Sequence, residues 1–372
     1  MKSFFSFVPW LLICASSSHG RYLPNCVDES TFLTQNEVCD AQALPMSRAA
    51  TLVSAMNVTE KLENLIEVSK GSSRLGLPAY NWWNEDLHGV SFSISTENPV
   101  GEYSSATSFA TPLLPAAAFD DEMVYQVADA IGTEARAFGN GKPLWSRLLN
   151  PERQSILATC KHYAGYDLES WNGYSRYGFQ ANITLHELQC VRDSQVSAIM
   201  CSDKLVNDTP TCTNSYLIER ILRQHWNWTA THHHVVSDCD VVNETVARTR
   251  YKLTLAEFSA LMFNRGTDLI CAGDSQADVS AMYDRSLLSK QRMEVALRRR
   301  YEALVCAGYF GPNATDPYAS LGWSAVNTVA SQALARRSAA ESMVLIKNDG
   351  TLPLSMPNDT RTALIGPYAN AT

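Results

Sequence analysis

Four short apolar runs constrain this chain more than any other feature: 156–160 (ILATC), 198–201 (AIMC), 235–237 (VVS) and 268–271 (DLIC). Each reads as a buried strand that stops at a polar or charged group. Successive ends lie about 33 to 42 residues apart, the length of one strand plus a helical crossover. The intervening sequence supplies the helices. Asn57 and Glu60 form a capping-box pattern ahead of Leu62, Leu65 and Ile66, within a region, 41–70, that reads as two short helices. A longer helix follows Asp120, with Val124, Val127, Ala128, Ile131 and Ala135 on one face, and Asn214 is placed to cap another. Thr254 and Glu257 repeat the capping box, and a last long helix, about 290–307, runs into Gly308, a natural residue for closing a helix. Repeated parallel βα units of this kind fold as a barrel or as a doubly wound sheet, and periodicity alone does not choose between them.

Parallel sheets place chemistry at the carboxyl ends of their strands. Three groups stand there: Lys161-His162, Asp203-Lys204, and Asp238 with Asp240. A carboxylate just past a buried strand is held rigidly, as a nucleophile requires, although a helix cap or an ion-pair partner would look the same. His232-His233-His234 offers imidazoles but no metal geometry, because adjacent residues point apart on a strand; a solvated loop is the expectation. Arg298-Arg299-Arg300 likewise reads as a solvated helix face. With a net charge of −8, the chain presents no basic face to nucleic acid.

Several segments, in order along the chain, resemble glycoside hydrolase family 3 enzymes of the β-xylosidase type. They are RLGLPAYNWWNEDLHGV (74–90), ATCKHYAGYDLESWNG (158–173), IMCS (199–202), TPTC (209–212), VVSDCD (235–240), RGTDLIC (265–271), LGWSAVNT (321–328) and LIKNDGTLPLS (345–355). The resemblance implies a (β/α)8 TIM-type barrel over 21–310, a linker and helix over 311–341, and the start of an α/β sandwich domain over 342–372. Strand-like segments are expected at 343–347 and 363–366. The resemblance also implies the chemistry: Asp238 as nucleophile of a retaining hydrolysis that releases terminal β-1,4-linked xylose from xylo-oligosaccharides, with no cofactor and no metal. Trp83, Glu85, Lys161, His162 and Cys239 fall on sugar-binding positions, Cys239 standing where many relatives carry Trp.

The departures from the family are as informative. Only 142–150 bridges a place where the family carries a strand, a helix and a substrate-binding arginine, so one βα unit is missing. The helix before the IMCS strand is shortened, and Asp203-Lys204 replaces Tyr-Asn beside the sugar site. The family's acid/base glutamate belongs to a segment beyond Thr372. A catalytically inactive remnant that at most binds sugar, a faulty gene model of an intact enzyme, and α-arabinofuranosidase or β-glucosidase specificity are the rival readings.

The first twenty residues read as a signal peptide: Lys2, an apolar core to Ala15, then small residues at Ser18 and Gly20. No later segment is long and apolar enough to span a bilayer. Sequons begin at Asn57, Asn182, Asn207, Asn227, Asn243, Asn313, Asn358 and Asn370, which fits an extracellular, secreted protein. Outside the leader the cysteines are odd in number: Cys26, Cys39, Cys160, Cys190, Cys201, Cys212, Cys239, Cys271 and Cys306. Cys26 with Cys39 and Cys201 with Cys212 are close enough in sequence to close small loops, and an oxidising route favours disulfides over zinc.

Overall fold

The computed structural model describes residues 24–83, 85–91, 105–138, 143–144, 156–166, 168–176, 180–183, 196–239, 241–248, 252–271, 276–311, 318, 320–357, 360–361, 363 and 365–366. The proposed leader, Asp240, Cys190 and most of 142–150 lie outside them.

The apolar runs form one parallel ladder. Strands β1 (Pro143–Leu144), β2 (Leu157–Tyr163), β3 (Ala198–Cys201) and β4 (His234–Ser237) lie side by side in that order. All three pairings are parallel. Parallel bridges extend the arc from Val236 to Leu269 and from Ile270 to Ile66. The expected strand at 268–271 is therefore a pair of bridges, and its neighbour begins at Ile66. This is an α/β fold around a parallel sheet. Strands β3 and β4 are fully buried, as continuous apolar runs in such sheets are. Between β1 and β2 only residues 145–156 connect, far fewer than join β2 to β3 or β3 to β4. That short connection stands where the sequence implies a lost unit.

Helices pack where the capping signals put them. Helix α1 is Pro45–Ala55, and α2, Val58–Glu63, carries both halves of the Asn57–Glu60 capping box. Asp120 caps α3 (Asp121–Ala137), and Thr254 with Glu257 forms the second capping box on α4 (Leu255–Asn264). Asn214 Oδ1 accepts from the Tyr216 and Leu217 N–H groups at the head of a π-helical segment, Tyr216–His225. Helix α5 (Lys290–Cys306) closes at Gly308, whose φ is +76°. Helix α6 (Val329–Glu341) packs on α3, where Arg337 reaches Asp120 at 3.0 Å. Buried Glu134 on α3 ties the pair down, accepting from the Thr107 and Asn327 N–H groups. Among the described residues no helix is long and apolar enough to cross a membrane.

Three expectations fail, each for a packing reason. The triple arginine is not a solvated face. Arg300 is fully buried on the Trp82 ring, 5.0 Å from its centroid, and Arg299 pairs with buried Asp268 at 3.0 Å. Only Arg298 behaves as expected, pairing along the helix with Glu294. The histidine run is not a solvated loop either. His233 stacks on Trp228 at 4.4 Å, and His234 opens β4 in the core. Finally, 343–347 is not a strand: Met343, Val344, Leu345 and Ile346 are exposed, and a strand needs a neighbour to bond. No strand forms at 363 or 365–366, and Leu364 lies outside the described residues.

Candidate active site

Strand ends converge at the carboxyl edge of the ladder. Asp238 follows β4 directly, and its N–H donates to the Cys201 carbonyl at 2.9 Å, so the parallel pairing continues to the carboxylate itself. The Cys239 N–H donates to Asp238 Oδ1 at 2.9 Å, which fixes the carboxylate and leaves Oδ2 toward His162. Lys161 and His162 are the fifth and sixth residues of β2. The register of β2 against β3 shifts between Cys160 and Tyr163, the kind of irregularity that re-aims side chains beside a site. Next to them Gly165 has φ +75°, and a Cβ there would come within 2.7 Å of the Ala181 side chain, so only glycine fits.

Trp83 and Glu85 arrive from the segment after a two-residue strand, Tyr80–Asn81. Adjacent side chains on extended backbone face opposite ways. Trp82 is accordingly buried, donating from Nε1 to Ser69 Oγ, while Trp83 stays partly exposed and donates from Nε1 to Glu85 Oε1 at 3.2 Å. The other Glu85 oxygen accepts from Lys161 Nζ at 2.8 Å. The structure thus brings Trp83, Glu85, Lys161, His162 and Asp238 together in one place. Cys239 is there too, but its sulfur is bonded to Cys271.

The electrostatics separate the roles these groups can take. Burial, then the charge of Asp203, pushes the Asp238 carboxyl up to about 6, against the opposing pull of Lys161 and Arg176. At neutral pH it is ionised but held at a cost, as a reactive carboxylate is. Burial, then Lys161, Lys204 and Arg176, lowers His162 to about 4. Its imidazole is therefore neutral, and the 3.6 Å approach to Asp238 is a close contact rather than an ion pair or a hydrogen bond.

No protein-family model matches the chain. A probable exo-1,4-β-xylosidase of Aspergillus oryzae is 40% identical, covering 96% of this chain and 51% of that protein. One of Aspergillus terreus is 40% identical, covering 94% and 52%. A solved family 3 exo-β-xylosidase, bound to a xylobiose aziridine activity-based probe, superposes with a TM-score of 0.79. It is 32% identical and matches 90% of this chain and 49% of that one. The chain belongs to glycoside hydrolase family 3. A β-glucosidase from Erythrobacter marinus, at 20% identity and a TM-score of 0.67, shares the fold.

The chain spans about half the length of the curated family 3 relatives it matches. The match to the A. oryzae protein runs over 413 residues, more than the 372 of the whole chain, so that relative carries internal residues without a counterpart here.

Behind the site lies a support that the sequence did not announce. Asp268, fully buried, binds Arg223 at 3.2 Å, Arg292 at 2.9 Å and Arg299 at 3.0 Å, and accepts from the Val235 N–H of β4. Burial alone would raise its carboxyl, yet Arg299, Arg292 and Arg223 together hold it well below the usual carboxylate range. The signal was in the sequence, in the family segment RGTDLIC, but its arginine partners come from two distant helical segments, Tyr216–His225 and α5. The Cys239–Cys271 disulfide was missed for the same reason. It joins the residue after Asp238 to the end of the next strand, 32 positions on. The two short-range pairs, Cys26–Cys39 and Cys201–Cys212, do form.

Proposed function

We propose that this chain carries the sugar-binding half of a retaining β-xylosidase site, at the mouth of a (β/α)8-type barrel one unit short, with Asp238 as nucleophile. One observation carries the reading: Asp238 stands fixed at a strand end beside Glu85, Lys161 and His162, in a chain 40% identical to exo-1,4-β-xylosidases. In the first step an Asp238 oxygen attacks the anomeric carbon, an ester bond forms, and the bond from that carbon to the leaving oxygen breaks. In the second, water attacks the same carbon, the ester carbon–oxygen bond breaks to return the carboxylate, and the proton lost by water balances the one the leaving oxygen takes up. Glu85 and Lys161 would hold ring hydroxyls as acceptor and donor, neutral His162 would bind another, and the Trp83 ring would meet the apolar face of the sugar. Cys239, at a position where many relatives carry Trp, is tied up in its disulfide with Cys271.

A second reading, sugar binding with little turnover, is favoured by the neighbours of Asp238. Among the described residues, the carboxylates drawn into contact with this cluster are Glu85, Asp203 and Glu169, and each has a cation at hand in Lys161, Lys204 or Arg176. A carboxylate held that way does not protonate a leaving group.

The two readings share a test: the protein is treated with a xylobiose aziridine or a fluoro-xyloside bearing a good leaving group, then digested and mapped by mass. A label on the Asp238 peptide, absent in Asp238→Asn, supports the nucleophile; a label elsewhere, or none, sinks it. We also propose a secretory route. Asn57, Asn182, Asn207, Asn227 and Asn243, the described sequon residues, are all exposed, and three disulfides form. Mass measurement of the mature protein, expected to begin near Arg21 and to shift on deglycosylation, tests it.

A further inference from the structure

Asp203 stands two residues beyond β3, and the Cys201 carbonyl at the end of β3 receives the Asp238 N–H. The two carboxylates therefore occupy the ends of neighbouring parallel strands. Asp203 is nearly inaccessible, its side chain 4% exposed, and is held by Lys204 Nζ at 2.7 Å and Arg176 Nε at 3.8 Å. Both cations are fastened elsewhere as well. Lys204 donates to the Arg176 carbonyl at 2.8 Å and lies 4.0 Å over the Tyr166 ring. Arg176 donates to the Tyr166 hydroxyl at 2.6 Å, and that hydroxyl donates to Glu169 at 2.7 Å. The Tyr166 ring in turn stacks on His162 at 4.5 Å, and His162 is the imidazole that approaches Asp238.

The groups facing Asp238 come from four segments: Glu85; Lys161 and His162; Tyr166, Glu169 and Arg176; Asp203 and Lys204. With His162 neutral, three cations stand against four carboxylates, Asp238 included. We propose that Asp203 is a positioning residue for the nucleophile: it neutralises Lys204 and Arg176, so that the three cations of the cluster are already matched by Glu85, Glu169 and Asp203 and none is left over for Asp238. This rests on the reading of Asp238 as nucleophile. Asp203 is also the first cause, after burial, of the raised Asp238 carboxyl. Removing its charge turns both cations toward Asp238 and lets the carboxylate persist at lower pH.

The experiment uses the full chain and a 2,4-dinitrophenyl 2-deoxy-2-fluoro-β-xyloside. Asp238 forms a bond to the anomeric carbon, the carbon–oxygen bond to dinitrophenolate breaks, and the phenolate leaves without needing a proton. Label formation is followed from pH 4.5 to 8 for the wild type, Asp203→Asn and Asp203→Glu. The wild-type rate is expected to fall below pH 6, where Asp238 titrates. In Asp203→Asn the acidic limb should move down by about one unit, raising the rate at pH 5 about fivefold relative to its own plateau. Asp203→Glu should keep the wild-type limb. A lower plateau with an unmoved limb in Asp203→Asn overturns the proposal, and so does loss of folding in both variants, since either makes Asp203 merely structural. Wild-type protein that takes no label at any pH instead refutes Asp238 as the nucleophile.

Discussion

On the proposed reading, Asp238 trades stability for reactivity. Its folded carboxyl lies near 6, above the ordinary 3.8, so the native state holds that proton more tightly than the unfolded chain does. The associated stability is present in acid and lost as pH rises from 3.8 through about 6. Asp238→Asn removes the ionisation, so at pH 7 it should stabilise the protein by on the order of 2 kcal/mol while abolishing covalent labelling. Urea titrations at pH 7 check this; a destabilised variant would mean that the bond from the Cys239 N–H outweighs the cost of burying the charge. Asp268 is the opposite case. Its charge is compensated by three guanidinium groups, and Asp268→Asn leaves them facing one another in the interior. Breaking such a buried network should cost about 3–5 kcal/mol, read as a lower urea midpoint with an unchanged slope. The sequence marked Asp238 as a strand-end carboxylate and, through the resemblance, as the expected nucleophile, whereas Asp268 stood out only as the start of an apolar run. The structural part of Asp268 follows from the three arginines it acquires on folding.

At the scale of elements, β4 joins the core to the site. Its first residue, His234, lies against Trp82, and His233 just before it stacks on Trp228. Burial holds His233 at about 3 and His234 at about 4. Lowered histidines contribute stability that is complete above the unfolded value of 6.5 and drains away as pH falls toward those values. His162 and His232, also lowered by burial, add the same sign, so four imidazoles act against two raised carboxyls, Asp238 and Glu302, over this range. Each titrating group changes the slope by up to about 1.4 kcal/mol per pH unit, and the net should therefore be a marked loss between pH 6.5 and 4.5. Denaturant midpoints across that window test it, and a flat profile would show that these imidazoles protonate in place. The alternation rule placed adjacent histidines on opposite sides of a strand correctly in principle. It gave no hint that both sides of this strand are buried, because burial on the second face depends on Trp82, Trp228 and α5, distant in sequence.

For the whole molecule, the described residues assemble one carboxylate suited to nucleophilic attack and none free to serve as its acid. The protein spanning residues 1–372 is therefore expected to leave xylobiose intact while reacting slowly with activated xylosides. General acid–base assistance is worth roughly 10²–10⁴-fold in rate, a deficit that reducing-sugar release makes plain. Xylobiose turnover at the rate of a full-length relative would show that an acid reaches the site from elsewhere. The exposed run Met343 to Ile346 belongs to the same scale. Four consecutive exposed apolar residues meet water there, and that surface is a liability for association.

The sequence by itself determined which stretches become strands and where the helices start, because those depend on local chemistry. Apolar runs ending at Cys160, Cys201 and Ser237, capping boxes at Asn57 and Thr254, and a glycine after α5 act within a few residues of themselves. Through the family resemblance it also indicated Trp83, Glu85, Lys161, His162 and Asp238. Only folding decided what could not be local: that Arg299 and Arg300 turn inward, that Cys239 bonds Cys271, and that Asp203 pairs with Arg176. Each of these is a contact between segments tens to hundreds of residues apart, and the gain from burying or pairing them exists only once the parallel ladder has set the segments side by side.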